Sequence, residues 1–279
     1  MDIDVVVLWV NGADPAWLEE KRKYAPPSAV DSDSVNRYRD WGLLPYWFRS
    51  VERFLPWVRN VHFVTWGHVP AFLNLDAPKL HVVRHEDFIP ADYLPTFSSH
   101  TIEMNIHRIP GLAEHFIYFN DDMFPVGDCR PEDFFRDGKA VIGYYRHFFA
   151  SGMYKKICRN SDRLARKALG MKSSCFFTRP QHICSPMLKS QCEELYDKVE
   201  DEIRKTSATR TRTEENLNQY LFLDYMNYKG LVIREKISNK HISVAMASES
   251  KLREAVLNPQ RNILCVNDVR LSDKKYEVL

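Results

Sequence analysis

Four short segments with the pattern of strands constrain the first 125 residues of the chain more than any other feature. The first, residues 3–10, is a continuous apolar run, which is typical of a parallel strand that is buried on both faces. Apolar residues recur at helical spacing over residues 43–58 and 98–110. This alternation of strands and helices predicts an α/β fold with a Rossmann-like, mostly parallel sheet flanked by helices. The four segments cover residues 3–10, 60–67, 79–87 and 116–120.

The second half of the chain has a less regular pattern. Residues 145–186 show little periodicity, whereas residues 187–205 and 214–229 are predicted to form helices. Short strands are predicted at 231–235 and at 262–268, where NILCVND combines an apolar run with a polar end. We expect this irregular, mainly helical half to complete a site that the sheet begins.

Composition and charge exclude several classes of protein. A formal net charge of +2 argues against nucleic-acid binding. No apolar run approaches the roughly 20 residues that a membrane span requires, and acidic residues occupy the start of the chain, where a signal peptide is basic. The six cysteines include no CxxC pair, which predicts reduced thiols rather than a disulfide framework or a zinc site. We therefore expect a cytoplasmic protein.

Two adjacent carboxylates, Asp121 and Asp122, follow the predicted strand at 116–120. Each raises the cost of ionising the other unless a cation or hydrogen-bond donors compensate. Asn and Asp also form turns routinely, so a simple turn is the alternative. Asp14 likewise follows a predicted strand, and ligands of open α/β sheets bind at the carboxyl ends of the strands. This shared location favours a site where a hard divalent ion takes carboxylate and diphosphate oxygens together.

Two further groups of residues each allow a functional and a structural interpretation. His100, Glu103 and His107 lie on one stripe of a predicted helix, which suits either a metal site or a polar face along a cleft or in water. A basic cluster either contacts an anionic substrate or membrane surface, or is a solvated helix face. The cluster comprises Lys155, Lys156, Arg159, Arg163, Arg166 and Lys167.

Four segments resemble, in order, the four conserved regions of the Stealth family. They are IDVVVLWVNGADPAW (3–17), RYRDWGLLPYWFRSVERFLPWVRNVHFVTWGHVPAFLNLD (37–76), LPTFSSHTIEMNIHRIPGLAEHFIYFNDDMF (94–124) and NILCVNDV (262–269). A looser similarity runs through residues 176–230. Four long blocks in the right order are far more specific than the NDD motif alone. The family contains sugar-phosphate transferases, among them bacterial capsular polysaccharide phosphotransferases and the animal lysosomal-enzyme N-acetylglucosamine-1-phosphotransferase.

The resemblance implies an activity, a cofactor and partners. The expected reaction moves a sugar 1-phosphate, such as N-acetylhexosamine 1-phosphate, from a UDP-sugar to a hydroxyl of an acceptor glycan and releases UMP. The expected cofactor is Mg²⁺ or Mn²⁺. The acceptor would be a growing capsule or cell-surface polysaccharide, free or linked to a lipid. We expect peripheral contact with the inner face of the cell membrane through the basic residues of 155–172.

The same resemblance implies how the chain is organised. We predict one catalytic domain over residues 1–279. Residues 1–125 would form its α/β part and bind the nucleotide-sugar. Residues 126–260 would form a helical and irregular part that binds the acceptor, and residues 261–279 a C-terminal strand and tail.

Matching positions in the conserved blocks identify residues for the donor side. The donor-binding residues that the resemblance implies are Asp4, Asn11, Gly12, Asp14, Arg37, Asp40, Arg49, Glu103 and His107. The third block also contains the two carboxylates of the NDD motif, and the resemblance implies that Asp122, together with Asp121, holds the metal on the diphosphate.

Three residues are candidates for the transfer itself. His182 has the position of a family histidine, and with an ordinary pKa of about 6.5 it suits a base for the acceptor hydroxyl. Asp121 is the alternative base. Arg212 matches a family arginine that offers a planar fork to phosphate, although Arg210 could take that position. Asn216 stands where the family often has an aspartate, which is a departure on the acceptor side.

Two other functions would also use carboxylates at a strand end. A metal-dependent glycosyltransferase would release UDP instead of UMP, and a sugar-nucleotide or polysaccharide binding module would catalyse nothing. The presence of both NDD carboxylates, of His182 and of an arginine near position 212 argues against a binding module.

Overall fold

The computed structural model describes residues 1–24, 38, 42–244 and 246–267. The helices are α1 (Pro15–Tyr24), α2 (Leu44–Phe54), α3 (Ser99–Asn105), α4 (Gly152–Ala168), α5 (Lys189–Lys198), α6 (Glu200–Ser207), α7 (Tyr220–Tyr228) and α8 (Glu249–Leu257). The strands are β1 (Ile3–Leu8), β2 (Val61–Thr65), β3 (Leu80–Arg84), β4 (His115–Asn120), β5 (Met123–Pro125), β6 (Phe135–Arg136), β7 (Lys139–Val141), β8 (Tyr144–His147), β9 (Phe177–Pro180), β10 (Ser185–Leu188), β11 (Val232–Ile233), β12 (Asn239–Ser243) and β13 (Ile263–Asn267).

A five-stranded sheet with the order β10-β4-β1-β2-β3 contains the four strands predicted in the first 125 residues. Strands β1 to β4 are mutually parallel, and β10 adds an antiparallel strand at the β4 edge. Leu8 lies opposite both Val64 and Asn120, so β1, β2 and β4 end nearly level with one another. The predicted mixed α/β fold with a mostly parallel sheet is confirmed.

Helix α2 shows how the sequence covers this sheet. Its apolar residues recur at helical spacing, and Pro45 lies in the first turn, where a missing N–H costs nothing. Trp47 is fully buried, and its ring lies edge-on to that of Phe119 in β4, with the ring centroids 5.9 Å apart. The Trp47 indole N–H donates to the carbonyl oxygen of Met123 at 2.9 Å. These contacts fix the segment that follows β4.

The second half differs from its sequence prediction in three places. The helix predicted from residue 187 begins only at α5, because Ser185–Leu188 instead pair with β4 as strand β10. The helix predicted at 214–229 is confined to Tyr220–Tyr228. Helix α4, the longest described helix with 17 residues, lies inside the stretch that showed little periodicity. Among the described residues, no helix combines the length and the apolarity needed to cross a membrane.

Strand β13 brings the C-terminal segment to the end of β4. It pairs antiparallel with β5, which directly follows the NDD motif, and Cys265 lies opposite Met123. Its other neighbour is the parallel strand β12, in which His241 lies opposite Cys265. The Val266 N–H donates to the backbone carbonyl of Asp122 at 2.8 Å. Residues from distant parts of the sequence therefore meet beside the carboxylates.

Candidate active site

A cavity of about 990 Å³ lies at the carboxyl ends of β1, β2 and β4. Its walls come from both halves of the chain, as the sequence predicts. Five of the predicted site residues line it: Glu103, Asp121, Asp122, His182 and Arg212. The strand ends therefore form the base of a single pocket that the second half of the chain completes.

Asp122 has an unusual environment at the base of this cavity. Its Oδ1 atom is shielded from solvent and forms no hydrogen bond with any described residue, whereas Oδ2 accepts only a weak one from Cys265 Sγ at 3.8 Å. Burial raises the pKa of Asp122 from 3.8 to about 6. The neighbouring Asp121 side chain is exposed. A shielded carboxylate oxygen without a donor is a suitable ligand for a cation.

Arg212 is held at the cavity wall by a buried network. Its Nη2 donates to Ser99 Oγ at 2.6 Å, and the Ser99 hydroxyl donates to Glu103 Oε1 at 2.9 Å. The Gln219 N–H donates to the other carboxylate oxygen of Glu103 at 3.2 Å. Burial raises the pKa of Glu103, and the charge of Arg212 opposes that rise. Arg210 contacts backbone carbonyls instead and does not line the cavity.

His182 lies in the connection between β9 and β10. Its Nδ1 is 3.1 Å from the hydroxyl of Tyr220, which in turn is 3.0 Å from the hydroxyl of Tyr154. Burial, with the neighbouring His241 and Arg179, lowers the pKa of His182 to about 4. The imidazole is therefore neutral at pH 7 and can accept a proton.

Asp4 lies at the amino end of β1, away from the cavity. It accepts hydrogen bonds from Arg59 Nη2 at 2.6 Å and from the Ala113 N–H at 2.8 Å, and lies 3.0 Å from His62 Nε2. Burial alone would raise the pKa of Asp4, but hydrogen bonds from Arg59, His62 and Ala113 outweigh it and hold the pKa far below its ordinary value. Asp4 anchors the start of the sheet, so its position does not support the predicted donor contact.

Asn11, Gly12 and Asp14 shape the turn after β1 without lining the cavity themselves. Asp14 Oδ1 accepts from the backbone N–H of Trp17 at 2.9 Å and so caps α1. A Cβ atom on Gly12 would lie 1.9 Å from the carbonyl oxygen of Tyr38. Since Trp17 and Tyr38 line the cavity, this turn acts on its shape indirectly.

The stripe of His100, Glu103 and His107 is buried, and its members separate. His100 and Glu103 line the cavity, whereas His107 packs against Tyr196 and Phe222, with ring centroids 5.1 and 6.0 Å away. Burial lowers the pKa of His107 to about 3. The predicted donor contact of His107 has no support in this position, and the stripe is not a three-residue metal site.

Three more predicted donor residues have no described contact with the cavity. Arg49 is exposed on α2, where its guanidinium lies 5.6 Å from the ring centroid of Tyr46. Arg37 and Asp40 lie outside the described residues.

The basic cluster divides along α4. Lys155 lines the cavity, whereas three members form ion pairs away from it. The paired groups are Lys156 with Glu214, Arg166 with Asp162 and Lys167 with Glu202. Half of these six charges are therefore compensated by described carboxylates, and Lys155 is the member placed to contact a substrate.

The residue-level reasoning missed two cavity residues, Arg179 and His241. The Arg179 guanidinium lies 4.7 Å from the ring centroid of Tyr145, and its Nε donates to His147 Nε2 at 3.2 Å. Arg179 lies three residues before His182 in the sequence, and this proximity could have indicated a second phosphate-binding arginine. His241 lies in a stretch with no motif, so only the pairing of β12 with β13 reveals it.

Two solved structures align with nearly the whole of this chain. The galactosyltransferase LgtC aligns with a TM-score of 0.42 and 10% identity over 94% of this chain and 86% of that chain. Mouse xyloside xylosyltransferase 1 aligns with a TM-score of 0.42 and 14% identity over 96% of this chain and 98% of that chain. Similarity at this level carries no argument about function.

The sequence matches are stronger. Two family models match: Stealth protein CR1, conserved region 1, at residues 1–26, and Stealth protein CR2, conserved region 2, at residues 37–142. Exopolysaccharide phosphotransferase cps2G of Lactiplantibacillus plantarum is 46% identical over 100% of this chain and 90% of its own length. Receptor polysaccharide phosphotransferase WefC of Streptococcus oralis is 35% identical, and capsular polysaccharide phosphotransferase WcwK of Streptococcus pneumoniae is 33% identical. These two alignments cover 95% and 96% of this chain and 90% of each relative. The chain therefore belongs to the Stealth family, to which the sequence blocks had pointed.

Proposed function

We propose that this chain transfers a sugar 1-phosphate from a UDP-sugar to a hydroxyl of an acceptor glycan and releases UMP. The transferred group would be an N-acetylhexosamine 1-phosphate, and the product a capsule or cell-surface polysaccharide. The observation that carries the proposal is the meeting of three groups in one cavity. These are the unpartnered oxygen of Asp122, the fixed guanidinium of Arg212 and the neutral imidazole of His182. Relatives named as polysaccharide phosphotransferases support it.

The arrangement suits phosphoryl transfer because that reaction needs positioning and charge neutralisation more than covalent help. Ser99 holds Arg212 from one side, which leaves the rest of its planar fork for diphosphate oxygens. Arg179 supplies a second positive charge in the same cavity. Two arginines can therefore bind and orient the donor diphosphate.

The residues at the end of β4 fit the divalent ion that the family implies. Asp122 would hold it through the shielded Oδ1, with the exposed Asp121 beside it. When bound, Mg²⁺ or Mn²⁺ would neutralise charge on the diphosphate and on the leaving UMP.

His182 would act on the acceptor. As the acceptor oxygen forms its bond to the β-phosphorus, the bridging P–O bond breaks and UMP leaves with the electron pair. The acceptor proton passes to the imidazole of His182, whose Nδ1 is already engaged with Tyr220. The pKa of about 4 keeps His182 unprotonated and ready for this step at pH 7. These features favour His182 over the exposed Asp121 as the base.

Peripheral membrane contact and a cytoplasmic location belong to the same proposal. The segment between β8 and α4 exposes Phe148 and Phe149 by 51% and 77%, a few residues before the basic residues of 155–172. Aromatic and basic side chains together suit an anionic lipid surface that carries a lipid-linked acceptor. Reversing Lys155 and Arg159 to Glu should weaken sedimentation with phosphatidylglycerol vesicles. Unchanged sedimentation would remove the membrane part and leave the transfer untouched.

One assay separates the proposed reaction from its alternatives. The protein is incubated with UDP-N-acetylglucosamine and an oligosaccharide acceptor, with and without Mg²⁺, and the nucleotide product is identified. UMP formed only with the metal is the expected result. UDP would mean glycosyl transfer, and donor binding without either product would mean a binding module. His182→Ala should keep donor affinity and lose UMP release, as expected for a group that acts on the acceptor proton.

A further inference from the structure

Three side chains with nitrogen or sulfur donor atoms lie close together at the cavity, and two of them, His182 and His241, line it. His182, His241 and Cys265 each offer one atom, and the three atoms lie within 4.8 Å of one another. Cys265 Sγ is in turn 3.8 Å from Asp122 Oδ2. The spacing of the cysteines in the sequence had indicated no zinc site. The cluster exists only because β12 and β13 pair and place His241 beside Cys265.

The donor atoms suit a different class of ion from Mg²⁺. Two imidazole nitrogens and a thiol sulfur are ligands for zinc-class ions, whereas Mg²⁺ prefers oxygen atoms and keeps much of its water. Metal–ligand distances of about 2.0–2.3 Å place neighbouring ligands of a tetrahedral ion about 3.5 Å apart. Closing from 4.8 Å to that spacing requires movements of about 1 Å, and the exposed His241 side chain can supply them.

Two further observations also support a metal. Asp122 Oδ1 is shielded and without a hydrogen bond among the described residues, so its carboxylate can act as a fourth ligand. Nδ1 of His182 is 3.1 Å from Tyr220 Oη, which leaves Nε2 for the cavity. A hydrogen bond to the second ring nitrogen is the usual support for a metal-binding histidine.

We propose that His182, His241, Cys265 and Asp122 form a binding site for a thiophilic divalent ion of the zinc class. Binding displaces the thiol proton of Cys265 to solvent and places the sulfur on the metal. Binding also occupies the nitrogen lone pair of His182, so the ion inhibits phosphotransfer. This inhibition rests on the proposed function, whereas the binding does not.

The binding is tested on metal-free protein without any substrate. Titration with Zn²⁺, followed by calorimetry, should show one equivalent bound, and a large excess of Mg²⁺ should not displace it. Titration with Co²⁺ should produce a near-ultraviolet charge-transfer band from the thiolate. His241→Ala should weaken Zn²⁺ binding by at least about 100-fold. Loss of a residue that only supports a ligand costs up to about 100-fold in affinity, and loss of a direct ligand should cost no less. Because His241 is exposed, this variant should still fold.

Cysteine variants identify the sulfur ligand. Cys265→Ser should lose the cobalt charge-transfer band, whereas Cys175→Ser, which removes the exposed cysteine, should keep it. Wild-type affinity in His241→Ala, or a band that vanishes only in Cys175→Ser, would overturn the proposal. A third measurement compares UMP release with and without Zn²⁺ in wild type and in His241→Ala, and relief of inhibition in the variant is expected. If wild type releases no UMP at all, the proposed function fails, and the binding titrations still decide the metal site.

Discussion

Asp122→Asn should stabilise the metal-free protein at neutral pH while it removes the response to metal and donor. Asn keeps the shape of the side chain and removes its charge. Burial raises the pKa of Asp122 from 3.8 to about 6, so the folded state holds the proton more tightly than the unfolded state. Ionisation therefore costs stability as the pH rises from about 4 through 6, and the full cost is present above about pH 6.

The size of the effect follows from that shift. The difference between 3.8 and about 6, at about 1.4 kcal/mol per pH unit, corresponds to about 3 kcal/mol. This is an upper limit, because the new amide must also find a hydrogen-bond partner. For a chain of this size it corresponds to a melting temperature up to about 6–12 °C higher. At pH 4 the variant and wild type should melt together, since Asp122 is then protonated.

The assay is thermal unfolding in a chelating buffer at pH 4 and pH 7.5, repeated with Mg²⁺ and UDP-N-acetylglucosamine. Wild type should gain more from the two ligands together than from either alone, and Asp122→Asn should lose that gain. Asp121→Asn is the matched control for the measurement without ligands, where substitution of its exposed side chain should change stability by about 0.5 kcal/mol or less. A lower melting temperature for Asp122→Asn at pH 7.5, or a retained joint response, would refute the reasoning and leave the carboxylate as part of a turn.

Three further substitutions test other parts of the structure. Asp4→Asn should destabilise the fold by about 3 kcal/mol in urea unfolding above pH 4. The difference from wild type should shrink below pH 4, because the ionised carboxylate, whose pKa is lowered by folding, is then progressively protonated. Gly12→Ala should lower stability by about 1–3 kcal/mol and weaken donor binding, because its Cβ would displace Tyr38; unchanged values in both assays would contradict this. Arg212→Lys should weaken donor binding, measured by calorimetric titration, by about 1.5–3 kcal/mol, because Lys lacks the planar guanidinium that donates two hydrogen bonds to a phosphate. Arg210→Lys should bind the donor normally in the same titration.

The central sheet could be predicted because its strands are locally marked. Residues 3–8 and 115–120 are apolar runs that read as buried strands without any knowledge of their neighbours. Strand β10 could not be predicted, because its four residues run directly into a helix and become a strand only by pairing with β4. Helix α4 was missed because its buried face, which packs against α7, includes the polar residues Ser161 and Asp162.

The candidate site was predictable to a similar extent and for similar reasons. Asp122 and His182 lie in recognisable motifs, and both line the cavity. Asp4 was wrongly grouped with them, because the sequence around an acid in an apolar strand does not show whether the acid binds a ligand or a distant side chain. Its partner here is Arg59, 55 positions away. His241 lies in no motif, and the block that contains Cys265 did not indicate a partner for its thiol, since the proximity of the two residues depends on the pairing of β12 with β13.

The pairing of β13 with β5 also has a consequence for the order in which the protein is made. Both carboxylates are synthesised before β13, the strand whose Val266 N–H donates to the Asp122 carbonyl. While the protein is still being synthesised, the cavity lacks this wall and Asp122 stands without its neighbour Cys265. A nascent chain halted before residue 263 should therefore bind no donor, and donor binding should begin only when β13 is released and docks.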